Sequence, residues 1–131
     1  MEISKQPSFR RERGAWAENL VSGFLERKGY VILCRNFTCR GGELDIVAEH
    51  KDVLCFVEVR YRSSVQAGEP LETIAGTKRS RLITAARRFL VKHPEIDSMR
   101  RVLRFDVVSV VGEEKPEISL VQNAFGVADA W

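Results

Sequence analysis

The sequence predicts a mixed α/β domain in which one β-sheet is flanked by helices, with the element order α-β-β-β-α-β-β. Two segments repeat their apolar residues at helical spacing, and five shorter segments are continuously apolar or alternate as strands do. The 131 residues are enough for one domain with its own core, and no internal repeat is present. We therefore assign residues 13–131 to a single domain and the polar, charged residues 1–12 to a flexible basic arm.

The first helix is predicted from about residue 13 to residue 28, where Gly29 suits a C-terminal cap. Its apolar face consists of Ala17, Leu20, Val21, Phe24 and Leu25. The second helix is predicted to begin at Thr77, a suitable N-cap, and to end near residue 93, since Pro94 follows. Its apolar face consists of Leu82, Ile83, Ala86, Phe89 and Leu90.

Three of the five predicted strands carry no acidic motif and occupy residues 30–37, 101–111 and 118–121. A loop rich in Ser, Gly and Thr is predicted at residues 63–76, and its length is typical of a functional segment.

The remaining two strands, residues 42–48 and 53–61, each place an acid among apolar residues. A buried carboxylate costs several kcal/mol unless it is paired, so packing alone does not explain these acids. The short connection, residues 50–53, favours a hairpin whose symmetric closure places Asp45 opposite Glu58. Opposed side chains have Cβ atoms about 5 Å apart. Two like charges at that distance repel, and a divalent cation relieves the repulsion, so the pattern predicts a metal site.

The same closure places Glu43 opposite Arg60. Strand periodicity puts Arg60, and then Arg62 if the strand continues, on the face that carries Glu58. Strand-borne carboxylates beside a cation are the parts needed for metal-assisted hydrolysis of a phosphodiester, with Mg²⁺ or Mn²⁺ as the metal. Arg60 is then placed to stabilise the negative charge of the transition state.

Positive charge is concentrated in residues 78–104, which hold nine Lys or Arg against two acids, although the whole chain carries only +3. This asymmetry favours an anionic partner, with nucleic acid ahead of a membrane surface. On the second helix four cations fall within about a quarter-turn of each other, beside the apolar face. These four residues, together with Arg62 of the second acidic strand, are the predicted nucleic-acid-binding residues: Lys78, Arg81, Arg88 and Lys92 on the helix. An ordinary solvated helix is the alternative.

The sequence predicts a cytoplasmic protein with no membrane segment. No apolar run approaches the ~20 residues that span a bilayer, and residues 1–13 lack the apolar core of a signal peptide. The three cysteines are an odd number, which a reducing compartment leaves as free thiols. No C-x-x-C pair is present, so a zinc site is not expected.

Two of these motifs resemble those of known families. The residues Gly42-Glu43-Leu44-Asp45 and then Glu58-Val59-Arg60 resemble the PD-(D/E)-x-K nuclease signature in its Holliday-junction-resolvase-like form, G-E-x-D followed by E-V-K. Over about residues 13–126 the chain is also similar to the uncharacterised YraN-type bacterial family. The further shared features are Gly14-Ala15-Trp16-Ala17-Glu18, Arg35-Asn36, Lys78 with Arg81-Leu82, and Arg104-Phe105-Asp106-Val107-Val108.

The resemblance implies a restriction-endonuclease-like fold and a structure-selective, magnesium-dependent DNA endonuclease. It implies that Asp45 and Glu58 are metal ligands, that Glu18 is a third acid from the first helix, and that the protein acts on branched DNA as a symmetric homodimer. The nuclease pattern has lysine where this chain has Arg60. Since a guanidinium stays protonated, Arg60 can stabilise charge but cannot act as a base, and Lys78 is the candidate to supply an amine.

Several alternatives remain at this stage. The acids could form a structural network with Arg60 and Arg62, in a nucleic-acid-binding module without catalysis or in a protein–protein adaptor. Individual residues also have simpler roles: Glu43 as a partner of Arg60 or an edge residue, Glu18 as a surface acid, Asp106 as the ion-pair partner of a nearby arginine, and Trp16 and Trp131 as packing residues.

Overall fold

The computed structural model describes residues 7–63, 76–97 and 102–126. Eight elements follow one another along the chain: α1 (Pro7–Arg27), β1 (Val31–Cys39), β2 (Gly42–His50), β3 (Val53–Arg62), α2 (Gly76–Lys92), α3 (Pro94–Asp97), β4 (Val102–Val111) and β5 (Glu117–Phe125). The predicted mixed α/β fold and its element order are confirmed, with the one-turn helix α3 added.

The five strands form one sheet in the order β1-β2-β3-β4-β5. Strands β3 and β4 are parallel, and every other neighbouring pair is antiparallel. The parallel pair requires a crossover connection, and the chain between these strands contains α2.

The helices cover opposite faces of the sheet and so create two cores. The α2-facing core joins the predicted apolar face of α2 to side chains such as Phe56 and Phe105. The α1-facing core joins Val21 and Leu25 of α1 to side chains such as Val57 and Val108. Phe89 of α2 and Leu25 of α1 are each fully buried. The helical periodicity therefore identified the buried faces correctly.

Element boundaries differ from the sequence predictions mainly at the ends. Helix α1 begins at Pro7, so it overlaps the predicted arm from that residue onward, and β5 continues to Phe125. Strand β5 lies at the edge of the sheet and buries few of its side chains, so its sequence has a weak apolar pattern from which to predict its length. None of the helices in the described ranges has the length and apolar character needed to span a membrane. Residues 1–6, Trp131 and residues 64–75 of the loop predicted at 63–76 lie outside the described residues, while Gly76 belongs to α2.

The β2–β3 hairpin closes on a two-residue turn, Lys51-Asp52, which is tighter than the predicted four-residue connection. Both residues have positive φ, 49° and 66°, as the hairpin turns that match strand twist require. His50 and Val53 therefore pair with each other, and the ladder continues to Ile46 and Val57. This register is the one that symmetric closure predicts.

Candidate functional site

Asp45 and Glu58 occupy the next positions after the last recorded β2–β3 pair, Ile46 with Val57. The Val59 amide donates a 2.8 Å hydrogen bond to Asp45 Oδ2, so a side chain of β2 is bonded to the backbone of β3. The Asp45 carboxyl also shares a hydrogen bond with Glu58, whose side chain is buried. The structure thus brings the two predicted acids together.

The carboxyl pair holds a proton that an isolated aspartate would lose. Burial and, next, the negative charge of Glu58 together raise the pKa of Asp45 from 3.8 to about 8, against the lowering effect of the Val59 amide. Near neutral pH the Asp45 carboxyl is therefore largely protonated.

Lys78 supplies a positive charge to this pair from the first turn of α2. Its Nζ lies 2.9 Å from Glu58 Oε2, and this hydrogen bond raises the pKa of Lys78. The side chain is half exposed along its length, with its ammonium group directed to a carboxylate that is almost fully buried. Lys78, which the sequence suggested as a substitute for the lysine of the nuclease pattern, thus contacts the acidic pair directly.

Glu18 of α1 approaches the pair from the other face of the sheet. Its charge contributes to the raised pKa of Asp45, although less than burial and Glu58 do. Its Oε1 lies 3.5 Å from Nη2 of Arg35 in β1, and its side chain is mostly buried. The structure therefore directs Glu18 inward, between Arg35 and Asp45, rather than into solvent.

A local irregularity in β1 and β2 orients Asp45. Leu44 packs in the α2-facing core whereas Ile46 packs in the α1-facing core, although residues two apart on a regular strand share a face. The strand therefore changes face at Asp45. Opposite Asp45, between the pairs Arg35–Ile46 and Phe37–Leu44, lies Asn36, which has a φ of 57°. Asparagine tolerates this left-handed conformation better than most residues.

The other residues of the predicted site lie around this pair. Arg60 is half-buried, lies beside Ser109 of β4, and alternates onto the same face as Glu58 because Val59 packs in the α1-facing core. Arg62 follows on that face at the end of β3. Glu43, which symmetric closure placed opposite Arg60, is exposed and has Thr38 as its partner on β1.

The donor set fits a hard divalent cation. Among the residues in the described ranges, no three His, Cys, Asp or Glu side chains are grouped closely enough to hold a metal ion. Mg²⁺ does not require such a cage, since it keeps several waters and is commonly held by one or two carboxylates together with substrate phosphates. Asp45 and Glu58 match that requirement, and replacing the shared proton with a cation removes their repulsion.

Two cavities lie along α2, and one of them is lined by the Lys78 that contacts Glu58. The first, of about 550 Å³, is lined by Lys78 and Arg81 on the helix and by Glu43 on β2. The second, of about 360 Å³, is lined by Arg88 and Lys92. The four predicted basic residues of α2 thus line two cavities on this helix, and Lys78 also contacts the acidic pair.

A second polar cluster, centred on Asp106, lies near the start of β3 and β4. Asp106 is 1% exposed and accepts hydrogen bonds from Arg104, Tyr30 and the Asn123 amide, which secures the irregular pairing of β4 with β5. Arg104 also bonds Nδ1 of His50. The sequence prediction of an ion pair between Asp106 and a neighbouring arginine is confirmed.

Tyr30, His50 and Cys55 were not predicted to join the Asp106 cluster. No local pattern identifies them, because they come from three separate segments that meet only in the folded sheet. Trp16, in contrast, packs edge-on against Tyr61 with ring centroids 5.5 Å apart, as a packing residue would.

Comparison with known proteins identifies the family. A model described as "Uncharacterised protein family UPF0102" matches residues 17–110. The chain is 44% identical over 120 residues to a UPF0102 protein of Myxococcus xanthus, covering 91% of this chain and 93% of that protein. It is 43% identical over 118 residues to a UPF0102 protein of Pseudomonas aeruginosa, covering 88% and 93%. The resemblance to an uncharacterised bacterial family is confirmed, and the chain belongs to the UPF0102 family.

Proposed function

We propose that this protein is a divalent-metal-dependent DNA endonuclease that hydrolyses phosphodiester bonds in branched DNA. The observation that carries the proposal is the contact of three groups: the proton-sharing carboxyls of Asp45 and Glu58, and the Lys78 ammonium 2.9 Å from Glu58. Acids for a metal and a fixed cation for phosphate charge are the components that this reaction requires.

Each group has a distinct role in the proposed reaction. Asp45 and Glu58 would hold Mg²⁺ or Mn²⁺. The metal would act as a Lewis acid on the phosphoryl group and would lower the pKa of the attacking water. Lys78 and Arg60 stabilise the negative charge that develops on the phosphate. Water adds to phosphorus, and the bond from phosphorus to the leaving oxygen breaks. Glu18 adds negative charge near Asp45, which would favour the binding of a cation there.

A cleavage assay tests the proposal. Labelled linear, flapped and four-way-junction DNAs are incubated with the protein in Mg²⁺, Mn²⁺ or EDTA. We expect metal-dependent cleavage of a branched DNA, lost in Asp45→Asn and retained in Asp52→Asn. The second variant makes the same chemical change in the exposed hairpin turn. Cleavage that persists in Asp45→Asn would assign the activity to a contaminant or to another site.

A catalytically silent nucleic-acid-binding module of the same fold is the alternative. The observation that favours it is Arg60, which stands where the nuclease pattern has lysine. Under this alternative the wild type binds DNA but cleaves none of the DNAs with any metal, and Arg60→Lys restores cleavage. Under the nuclease proposal the wild type cleaves, since Lys78 already provides an ammonium group at Glu58.

The proposal also includes a cytoplasmic location and a symmetric homodimer. Free thiols at Cys34, Cys39 and Cys55 suit a reducing compartment. A dimer would present two sites to the two strands of a junction. Light scattering with and without a four-way junction measures the oligomeric state directly.

A further inference from the structure

The two cavities on α2 form one groove between this helix and the β1–β2 hairpin. Both are lined by Thr38 and Cys39 at the end of β1, so they adjoin each other. The groove begins at Lys78, which contacts Glu58, and runs to Lys92. From Lys78 to Lys92 there are fourteen helical rises of 1.5 Å, so the groove is about 21 Å long, which accommodates several nucleotides.

The hairpin and the helix approach each other closely at the floor of this groove. A Cβ on Gly42 would collide with the Arg81 carbonyl oxygen, so the strand packs directly on the helix backbone. Gly41 also lies close, where a Cβ would be 3.4 Å from Thr84 Cγ2. The hairpin and the helix therefore touch at the floor of the groove, between its two ends.

Cations line both ends of the groove. Lys78 and Arg81 lie at the end nearest the acidic pair, and Arg40, Arg88 and Lys92 lie at the far end. Glu43 is the acid among the residues that line the two cavities. A ligand that follows this groove therefore carries negative charge at several points along its length.

Between the cations the lining is apolar or weakly polar. Val91 is 80% exposed on α2 between Leu90 and Lys92, and Leu82 and Cys39 line the cavity nearer the acids. An exposed valine in a basic helix face has no role in contacting phosphate. Such a side chain can instead contact the bases of an unpaired strand. Within a duplex, the faces and edges of the bases are stacked and sheltered from this contact.

We propose that this groove binds single-stranded nucleic acid leading to the acidic pair, so that the substrate has an unpaired strand beside the bond to be cleaved. This inference rests on the proposed nuclease function for its orientation, but the binding itself requires neither metal nor cleavage. The substrate class is then a flap, a single-stranded tail or the unpaired strand of a branched DNA.

Binding is measured by fluorescence anisotropy in EDTA with the full chain. The probes are a single-stranded DNA of about twelve nucleotides, the matching duplex and a single-stranded RNA of the same sequence. We expect the single-stranded DNA to bind several-fold more tightly than the duplex at each salt concentration. If the RNA binds as tightly as the single-stranded DNA, the result supports single-strand binding in the groove and shows that the strand can be RNA or DNA.

Variants locate the strand. Replacing Arg88 and Lys92 with Gln should weaken single-strand binding about tenfold and flatten the salt slope by about 1.4, at ~0.7 per lost phosphate contact. Val91→Ser should weaken binding roughly threefold with no change in slope, because it removes apolar contact and no charge. The matched control replaces Arg27 and Lys28 with Gln at the end of α1, and these two residues line a different cavity.

Two results would overturn the inference: duplex binding as tight as single-strand binding, or equal weakening by the groove variant and the α1 control. The outcomes also separate this inference from the nuclease proposal. If the protein prefers single strands but cleaves no DNA, the proposal of single-strand binding in the groove stands and the proposal of nuclease activity is rejected. Cleavage of fully paired DNA without single-strand preference would do the opposite.

Discussion

At the scale of single residues, the candidate site consists of three side chains whose charges offset one another. Glu58 is buried and has Lys78 as a partner, while Asp45 shares a proton with Glu58. The Lys78 ammonium and the proton on Asp45 offset the negative charge of the pair. This arrangement costs stability whenever Asp45 must ionise.

The first prediction concerns Asp45 and pH. A carboxyl whose pKa is raised by folding contributes its full stability below its ordinary pKa and loses it as the pH rises through the folded pKa. Between about pH 4 and pH 8 the wild type should therefore lose stability relative to Asp45→Asn, whose amide oxygen can still accept the Val59 hydrogen bond. In EDTA the variant should melt a few degrees higher at pH 8, since about 1 kcal/mol shifts Tm by roughly 4 °C.

Mg²⁺ should reverse this order, because a ligand that binds the native state alone stabilises it by mass action. The wild type should gain Tm with Mg²⁺, whereas Asp45→Asn should not. Melting curves from pH 4 to pH 9, with and without Mg²⁺, measure both effects. A Tm difference that is the same at pH 4 and pH 8 would contradict the role assigned to Asp45.

The second prediction separates Lys78 from Arg60 by cleavage rate. Lys78→Ala should lose roughly 2.7–4 kcal/mol of transition-state stabilisation, about a hundredfold or more in rate, with much less effect on binding of uncut DNA. Arg60→Lys should retain substantial cleavage, because the site already has its ammonium group. Lys115→Ala, in the exposed β4–β5 turn, is the control. Full activity in Lys78→Ala would mean that Arg60, and not Lys78, stabilises the charge of the transition state.

At the scale of elements, the β1–β2 hairpin positions the site through one irregularity and one close contact. The change of face at Asp45 accompanies the left-handed Asn36 on the neighbouring strand. The direct packing of Gly42 on α2 brings the start of β2 against the helix that carries Lys78. Both features belong to short sequence motifs, and each has a physical reason in the backbone.

The third prediction tests Asn36. Asn36→Gly should retain the fold and the Mg²⁺-dependent rise in Tm, since glycine adopts positive φ readily. Asn36→Val should lose about 1–2 kcal/mol of stability, because a branched residue is strained at a φ of 57°. Its Mg²⁺ response should shrink as Asp45 turns away from Glu58. An undiminished response in the folded Asn36→Val protein would show that Asp45 is oriented by other contacts.

The fourth prediction tests the contact between the hairpin and α2. Gly42→Ala should destabilise the protein by about 1–3 kcal/mol, since its Cβ meets a helix carbonyl that cannot move alone. Gly14→Ala is the matched control: its Cβ meets nothing within 4 Å, and alanine favours helix over glycine by about 1 kcal/mol. Chemical denaturation measures both. Equal stability of Gly42→Ala and wild type would mean that the hairpin rests more loosely on α2.

At the scale of the whole molecule, the helices divide the two faces of the sheet between them. Helix α1 brings Glu18 to the acidic pair from one face, and α2 brings Lys78 and the basic groove from the other. The acids lie on the strands between these helices, where β2 and β3 meet. The cations of α2 that line the groove are thereby placed on the face of the sheet that this helix covers.

The fifth prediction follows from that placement. Replacing Arg81 and Arg88 with Gln should weaken the binding of branched DNA and flatten its salt slope by about one to two units, at ~0.7 per phosphate contact with an unpaired strand and ~0.9 per contact with duplex. Replacing Arg27 and Lys28 at the end of α1 removes the same charge and should leave the slope nearly unchanged. Affinities measured over a range of salt concentrations test this. Equal slopes for the two variants would mean that net charge, and not the α2 face, governs binding.

The sequence by itself determined the helices, the acidic hairpin and its register, because apolar periodicity and turn spacing are local properties of the chain. It also identified the family and the basic face of α2. Only the tertiary structure decided that Lys78 joins Glu58, that Glu18 turns inward, and that Tyr30 and His50 gather at Arg104. Lys78 and Glu58 are twenty residues apart, and they meet only because the crossover to the parallel strand β4 lays α2 across the sheet. Such meetings depend on long-range packing, which no local pattern of residues encodes.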